Sequence, residues 1–219
     1  MLVMSVSSLR AGEVTQNREV ENFTGIDARE GIKVNIVRGE VESVKVTANP
    51  NDIDDLITEV KNGTLTIRWG SKISFRRHGA EVDIVANNLN RIIASSGASV
   101  KADTLLIEAL VLATSSGSRI NVASVGVSKI DVRSSSGSSV TVSGQAKSAE
   151  FDASSGARIK GGQLYADIAE VTASSGSSVS VYVDDNLAAS ASSGGSIRYG
   201  GKPQFSNVKA SSGGSISKL

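Results

Sequence analysis

The sequence Ser95-Ser96-Gly97-Ala98-Ser99 reads as an ordinary polar turn, but the chain repeats it. Six further Ser-Ser-Gly motifs begin at residues 115, 135, 154, 174, 192 and 211. The steps between successive motifs are 20, 20, 19, 20, 18 and 19 residues. A nearly constant period in this range predicts a solenoid, in which each repeat stacks on its neighbours.

Residues at fixed offsets from each motif share a chemical type. Three residues before the motif, one residue before it and five residues after it, the side chains are apolar or small. The positions five residues after are Val100, Ile120, Val140, Ile159, Val179, Ile197 and Ile216. Charged residues such as Arg133 and Asp152 occupy the alternate offsets. Alternation with period two indicates strands, so we predict an all-β fold, a parallel β-helix with coils of 19–20 residues.

The Ser-Ser-Gly motif is predicted to be the corner at which each coil bends. If the alternation runs unbroken, the second Ser and the small fourth residue of each motif point inward, where Ser hydroxyls can bind buried backbone groups. The Gly can adopt the positive φ that a corner often requires. The predicted corner residues are Ser96, Gly97, Ser116, Gly117, Ser136, Gly137, Ser155, Gly156, Ser175, Gly176, Ser193, Gly194, Ser212 and Gly213. The alternative is that the outward first Ser residues, such as Ser95, form a hydroxyl ladder that binds sugar or a mineral surface.

The first ninety residues lack the motif but also contain alternating segments, at 32–37, 44–47, 65–69 and 82–85. Asn62-Gly63 indicates a hairpin with a type I′ turn. Asn49-Pro50-Asn51-Asp52 indicates the start of a short helix, whose apolar face would include Ile53, Leu56 and Ile57.

These patterns predict one continuous domain over residues 20–219. Residues 20–90 would form irregular β-rich coils or a cap, and residues 91–219 the regular β-helix. Residues 1–19 are predicted to be a flexible N-terminus or the remnant of a signal peptide, because a short apolar run precedes Gly12.

Composition excludes several classes of protein. The 23 basic and 22 acidic residues give a net charge of +1, so nucleic acid is not an expected partner. The absence of cysteine excludes disulfides and thiol chemistry. Since no stretch approaches the roughly 20 apolar residues of a membrane span, membrane insertion is not expected either.

Catalytic, metal and cofactor sites are not predicted. The single histidine, His78, lies in the cluster Phe75-Arg-Arg-His-Gly79, which is typical of a solvated loop, with phosphate or an acidic polymer as an alternative contact. Asp52, Asp54 and Asp55 lack the Gly and distal Glu of a calcium loop. Asp184-Asp185-Asn186 favours a turn, with a calcium site as the alternative.

The outward surface beside the corners is rich in hydroxyl groups and mildly basic. Its two nearest columns contain no acid, and their candidate ligand residues are Lys101, Arg119, Arg158, Lys160 and Arg198. General acid–base cleavage needs a titratable pair in one cleft. We therefore expect a non-enzymatic binding face, with a glycan-active β-helix enzyme as the alternative.

The last coil, at Ser215-Ile-Ser-Lys-Leu219, carries no predicted cap. An uncovered coil exposes apolar interior and free strand edges, so a homodimer through this coil is expected. Alternatively, Lys218 and the chain end blunt the edge. A self-assembling structural subunit is a further alternative.

Three segments followed by serial corners resemble a known family. NFTGI at 22–26, GIKVNIVRG at 31–39, EVKNGTLTI at 59–67 and the Ser-Ser-Gly corners resemble the autotransporter-adhesin head GIN domain family, common in Bacteroidetes. The resemblance covers roughly residues 20–219. It implies a right-handed β-helix, an exported or surface location, and an adhesive role toward an unknown glycan or protein ligand. It supplies no catalytic motif.

Overall fold

The computed structural model describes residues 12–70 and 79–219, which form a β-helix of about 6 turns. The eight N-terminal strands are β1 (Val14–Arg18), β2 (Gly25–Ala28), β3 (Lys33–Arg38), β4 (Ser43–Ala48), β5 (Leu56–Lys61), β6 (Thr64–Trp69), β7 (Glu81–Ala86) and β8 (Arg91–Ala94). The remaining eight are β9 (Ser99–Thr114), β10 (Arg119–Ser134), β11 (Ser139–Ala153), β12 (Arg158–Ala173), β13 (Ser178–Ala191), β14 (Ser196–Gly200), β15 (Phe205–Ala210) and β16 (Ser215–Lys218).

Strands β9 to β13 each follow almost a whole coil and pair in parallel with the strand one coil away. The register places equivalent positions of the repeat side by side, so Ile120 lies between Val100 and Val140. All three side chains are fully buried. The predicted β-helix is therefore confirmed, because parallel stacking of alternating strands encloses one continuous apolar column.

Each long strand bends twice, which divides a coil into three faces. In β10 the buried positions alternate through Val122, resume at Val125, and resume again at Ile130. Each break marks a place where the chain turns and the alternation shifts by one residue. We call the face that directly follows the Ser-Ser-Gly corner the first face. The face that follows the next bend is the second face.

The seven predicted corners are tight turns with two consecutive residues at positive φ. At the first corner Ser96 has φ 51° and Gly97 φ 78°, and the amide of Ala98 donates to the carbonyl of Ser95 at 3.1 Å. This is the geometry of a type I′ turn. The corners also stack, since the amide of Gly97 donates to the carbonyl of Ser116 in the next coil at 3.0 Å.

The prediction that the second Ser of each motif points inward is wrong. Ser96 is exposed, like its six counterparts at 116, 136, 155, 175, 193 and 212. Two successive residues at positive φ carry the chain outward and back, so the alternation resumes only at the fourth residue of the motif. That fourth residue is the inward one, as at Ala98 and Ser138.

Inward hydroxyls satisfy the backbone at this fourth position. Ser118 donates to the carbonyl of Ala94 at 2.7 Å, and Ser177 donates to the carbonyl of Ala153 at 2.8 Å. Ser138 donates to the carbonyl of Ser135 at 2.7 Å and lies 2.9 Å from the hydroxyl of Thr114. These are the contacts expected of inward Ser hydroxyls, and each matters because a buried carbonyl without a partner would cost about 1–3 kcal/mol.

The structure contains an eighth corner that the sequence motif does not mark. Glu30 has φ 58° and Gly31 φ 74°, and the amide of Ile32 donates to the carbonyl of Arg29 at 3.3 Å. The amide of Gly31 donates to the carbonyl of Ser96 at 3.0 Å, so this turn stacks on the first Ser-Ser-Gly corner. The solenoid therefore begins before the motif does.

The N-terminal coils end in antiparallel strands. β1 pairs with β4, β4 pairs with β7, and β5 pairs with β6, all antiparallel. The predicted hairpin at Asn62-Gly63 is confirmed, with φ 49° and 70°. Antiparallel strands cannot continue the parallel stack of the coils, so they close it at this end.

Two expectations for this region are wrong. The predicted helix is a single 3₁₀ turn, Ile53–Asp55, because Leu56 already pairs with Trp69 as the first residue of β5. The segment 14–18, predicted as part of a flexible N-terminus or signal remnant, is strand β1, which pairs with β4. Residues 1–11, which hold the apolar run, lie outside the described residues.

The other end of the β-helix is open among the described residues. β15 pairs only with β13, and β16 only with β14. Val208 in β15 is 47% exposed, whereas Ala189, its counterpart one coil earlier, is 5% exposed. Phe205 and Leu219 are also exposed.

Candidate functional site

The five candidate ligand residues lie in two rows on the first face. The register aligns Arg119, Ser139, Arg158 and Ser178 in one row. It aligns Lys101, Asn121, Thr141, Lys160, Ser180 and Arg198 in the other. All five cationic side chains are exposed, because they alternate with the buried column.

The structure brings three of the five together around one groove. Arg158, Lys160 and Arg198 line a depression of about 600 Å³, called the basic groove below. Its other lining residues are Thr141, Val142, Ser143, Ile159, Gly162, Gln163, Ser178, Val179 and Ser180. Lys101 and Arg119 are on the same face but do not line it.

The groove lies where neighbouring coils differ in length. The coils that begin at the corners of Ser135, Ser154 and Ser174 have 19, 20 and 18 residues before the next motif. The register between β11 and β12 therefore shifts between Thr141 and Ser143, and that between β12 and β13 shifts after Gly161. A coil that is longer than both neighbours must bulge, and a bulge changes the local direction of the side chains.

Two consecutive glycines occupy this bulge. Gly161 is buried, and a Cβ there would lie only 2.5 Å from Cε2 of Phe151, so glycine makes room for the largest fully buried side chain. Gly162 lines the groove, and a Cβ there would lie 3.6 Å from Oγ of Ser180. Gly162 thus leaves open a space that a longer side chain would enter.

The charged side chains that line the groove are all positive. Of the residues that line it, none is acidic. Within residues 12–70 and 79–219, Arg158, Lys160 and Arg198 form no salt bridge. Nε of Arg158 donates to Oγ of Ser178 at 3.2 Å, which orients the guanidinium across the groove. Three cations flanked by hydroxyl groups, with no acid among the described lining residues, give the groove a positive potential that favours anions.

A feature that sequence reasoning missed adjoins the groove. Tyr165 and Tyr182 are paired in the register of β12 and β13, and their ring centroids are 4.8 Å apart with an interplanar angle of 64°. Tyr165 is 52% exposed. Only 4% of the residues are aromatic, but the fold concentrates two of the three tyrosines at one place.

Acidic side chains converge at the other end of the first face. Nδ2 of Asn35 donates to Oε1 of Glu81 at 2.6 Å and to Oδ1 of Asp83 at 2.9 Å. These strands continue the two rows of the regular coils, since Lys33 and Asn35 pair with Ser99 and Lys101. Sequence reasoning treated only the regular coils and missed this pair.

The remaining polar candidates have structural roles or stay untested. Asp27 forms an ion pair with Arg29 at 2.6 Å, and the hydrogen bond that Arg29 donates to it raises the pKa of Arg29. Asp184 and Asp185 lie exposed at a bend of β13, where Oδ1 of Asp185 accepts a 3.4 Å hydrogen bond from Gln204. In the part of the chain that the structure describes, no group of three His, Cys, Asp or Glu residues could hold a metal ion. Phe75 to His78 lie outside that part.

Comparison with known proteins identifies the family of the chain. Residues 22–203 match the family described as "Putative auto-transporter adhesin, head GIN domain". The chain belongs to this family, and the resemblance seen in the sequence is confirmed. The adhesin description is that of an exported or surface protein. No curated protein matches the chain.

Solved structures share the fold at low sequence identity. A "putative adhesin" from Bacteroides fragilis is similar with TM-score 0.89 at 18% identity, over 96% of this chain and 98% of that chain. A "putative lipid binding protein" from Parabacteroides distasonis has TM-score 0.74 at 18% identity, over 95% and 97%. A "putative adhesin" from Parabacteroides distasonis has TM-score 0.73 at 20% identity, over 94% and 97%. These similarities show the β-helix fold.

A helix with the length and hydropathy of a membrane span does not occur in residues 12–70 or 79–219.

Proposed function

We propose that this chain is a non-enzymatic, adhesin-like module, exported to the bacterial surface, whose basic groove binds an anionic surface polymer. The observation that carries the proposal is the grouping of Arg158, Lys160 and Arg198 around one groove. Among the described residues, these cations have no salt-bridge partner and no acid lines the groove. The family description as an adhesin supports a binding role at the cell surface.

The solenoid gives the groove a fixed geometry. Lys160 and Arg198 occupy the same row two coils apart, which corresponds to roughly 10 Å along the axis of the β-helix. Backbone pairing on both sides of β12 and β13 holds these coils in place. Cations held at fixed spacing can match a polymer with regularly spaced anionic groups. Because the coils are already rigid, the protein loses little conformational entropy when it binds.

The groove proposal is tested by removing its charges. The variant Arg158→Gln, Lys160→Gln, Arg198→Gln is titrated with heparin, oligogalacturonate and poly-L-glutamate in a calorimeter at low ionic strength. At about 0.5–1 kcal/mol for each exposed cation, we expect affinity to fall about tenfold to hundredfold. The matched control is Lys33→Gln, Lys101→Gln, Arg119→Gln, which removes the same charge from the same face outside the groove.

A second variant tests whether the open space of the groove, rather than its charge, is needed for binding. Gly162→Leu keeps all three cations and adds a side chain that enters the groove, at a position where the added Cβ makes ordinary contact. We expect it to weaken binding as the charge variant does. If the control variant loses as much affinity as the groove variant, and Gly162→Leu loses none, then binding is a nonspecific charge effect and the proposal is wrong.

A glycan-active enzyme is the second candidate, because Glu81 and Asp83 converge on Asn35. General acid–base cleavage requires two groups whose environments drive their pKa values apart within a cleft. Here both carboxylates share one amide, and Glu81 is exposed. New reducing ends released from the polysaccharides above, and lost in Glu81→Gln, would favour the enzyme over the adhesin.

A self-assembling role is the third candidate, favoured by the open last coil. We propose that a second copy packs on β15 and β16, whose outer edges are free among the described strands. A two-fold axis across this end would pair the strands of the two copies antiparallel and cover Val208. This dimer is compatible with the basic groove, because Val208 does not line it.

A further inference from the structure

The pair formed by exposed Tyr165 and partly buried Tyr182 has a fixed orientation. Their rings meet edge to face, an arrangement that aromatic pairs favour because the edge of one ring is positive and the face of the other negative. A Cβ on Gly200 would lie 2.8 Å from Cδ2 of Tyr182, and one on Gly201 would lie 3.3 Å from its Cε1. The Tyr182 ring therefore packs against the glycine backbone of the next coil, and it supports Tyr165.

The tyrosine pair continues the basic groove. Tyr165 follows Gln163 by two residues, and Tyr182 follows Ser180 by two residues, and both Gln163 and Ser180 line the groove. Two residues of extended strand span about 6.6 Å. The exposed Tyr165 ring thus adjoins the edge of the groove at Gln163 and Ser180, across the bend between the first and second faces.

This juxtaposition selects among anionic ligands. An uronate or sulfated sugar has a carboxylate or sulfate at its edge and an apolar face of C–H groups on its ring. The C–H groups pack on the negative face of an aromatic ring, and the anionic group pairs with Arg or Lys. An acidic peptide would bind most favourably by pairing with a free strand edge. Strands β12 and β13 offer no free edge here, because both are paired on both sides.

We propose that the basic groove and Tyr165 form one site for an acidic saccharide, with the anionic group held by Arg158 and Lys160 and a sugar ring stacked on Tyr165. The inference rests on the proposed function and adds the class of the ligand. Tyr182 is a positioning residue, since its ring packs on Gly200 and orients Tyr165.

The test separates the ring from the charges. Tyr165→Ala, and Tyr165→Phe as the matched control that keeps the ring, are titrated with oligogalacturonate, a chondroitin sulfate oligosaccharide and poly-L-glutamate. For at least one of the two saccharides, we expect Tyr165→Ala to weaken binding about tenfold, as loss of one stacked ring does, and Tyr165→Phe to bind within about twofold of the wild type. Binding of poly-L-glutamate should not change in either variant.

Saturation-transfer NMR supplies a readout that affinity alone does not. In the complex with the tighter-bound saccharide, the protons on one face of a sugar ring should receive saturation from the protein, and Tyr165→Ala should abolish this pattern. Uniform saturation of the sugar protons in the wild type would contradict stacking. Circular dichroism melts check that both variants are folded.

The outcomes distinguish the two proposals. If the groove variant loses affinity for a saccharide while Tyr165→Ala keeps it, the groove proposal stands and the stacking site is overturned. If the wild type binds poly-L-glutamate more tightly than both saccharides, the ligand is an acidic protein and the saccharide inference is overturned. If the wild type binds none of the three probes at up to about 1 mM, both proposals fall.

Discussion

At the scale of single residues, each corner requires a backbone conformation that few side chains tolerate. Gly137 has φ 69° and follows Ser136 at φ 53°. Glycine adopts positive φ without a steric penalty, whereas a second glycine in the same turn would cost additional chain entropy on folding. Serine at the first central position avoids that cost, and its carbonyl accepts the amide of Gly117 from the preceding coil at 3.1 Å.

Replacement of Gly137 tests this conformational requirement. Gly137→Val should destabilise the protein by about 1–3 kcal/mol, because a β-branched residue is strongly disfavoured at positive φ. An added Cβ at Gly137 has nothing within 4 Å, so the loss is conformational rather than steric. Urea unfolding followed by circular dichroism measures it.

Gly137→Asn is the matched control, because Asn tolerates the left-handed region. It should cost less than half as much as Gly137→Val. Equal losses in the two variants would show that the side chain at this corner meets a contact rather than a backbone restriction.

At the scale of strands, the alternation decides which side chains face the apolar column. Val140 is fully buried between Ile120 and Ile159, whereas Ser139 lies outward between Arg119 and Arg158. Neighbouring residues of one strand thus occupy opposite environments, and a charge should be costly at one and tolerated at the other.

Val140→Asp should destabilise the β-helix by about 3–5 kcal/mol or prevent folding, because it buries a carboxylate without a partner. Ser139→Asp should stay within about 0.5 kcal/mol of the wild type or be slightly stabilising, since the new carboxylate would lie between two arginines. Thermal unfolding of both variants measures the difference. A comparable loss in both would mean that the assigned facing of β11 is wrong.

The sequence predicted the strands better than the turns between them. Period-two alternation identified Val140 and its column as buried, because a strand allows no other periodicity. The second Ser of each motif, such as Ser136, was placed inward on the assumption that the alternation runs unbroken. That placement was wrong because two residues at positive φ interrupt the alternation, which a pattern of residue types does not reveal. The corner at Glu30-Gly31 was missed because its backbone needs only the glycine, not the serines.

The helix prediction failed for a tertiary reason. Asp54 and Asp55 suit the first turn of a helix, and the turn does begin at Ile53. It stops after one turn because Leu56 pairs with Trp69 in the hairpin closed by Asn62-Gly63. Strand pairing over six residues outweighs the local preference of a short helix, which is marginal by itself.

At the scale of the whole molecule, function depends on irregularities in a regular solenoid. The basic groove forms where coils of 19, 20 and 18 residues stack, so the unequal steps between motifs were the signal for it. Sequence reasoning identified Arg158, Lys160 and Arg198 as ligand candidates but also Lys101 and Arg119. Only the register and the bulge at Gly161-Gly162 decide which cations share a groove.

The two ends of the solenoid differ, which makes the assembly state testable. The antiparallel pairs of β1, β4 and β7 cover the N-terminal end. At the other end Val208 and Phe205 are exposed. Light scattering over about a hundredfold range of concentration should show a dimer that Val208→Asp converts into a monomer.

The matched control for the dimer is Asn207→Asp, which places the same charge on the neighbouring residue and should remain dimeric. Val208 belongs to the inward column that a second copy would cover, whereas Asn207 alternates with it. A wild-type protein that stays monomeric throughout the concentration range would refute the dimer and leave the groove proposal unaffected.

The basic groove is tested most directly by the affinity of the variant Arg158→Gln, Lys160→Gln, Arg198→Gln for acidic oligosaccharides. The control variant Lys33→Gln, Lys101→Gln, Arg119→Gln is measured beside it. Both variants lose three positive charges from one face, so any difference between them reports the geometry of the groove. If the basic groove is the binding site, affinity should fall about tenfold to hundredfold in the groove variant and less than about threefold in the control. Equal losses, or no loss in the groove variant, would contradict this assignment.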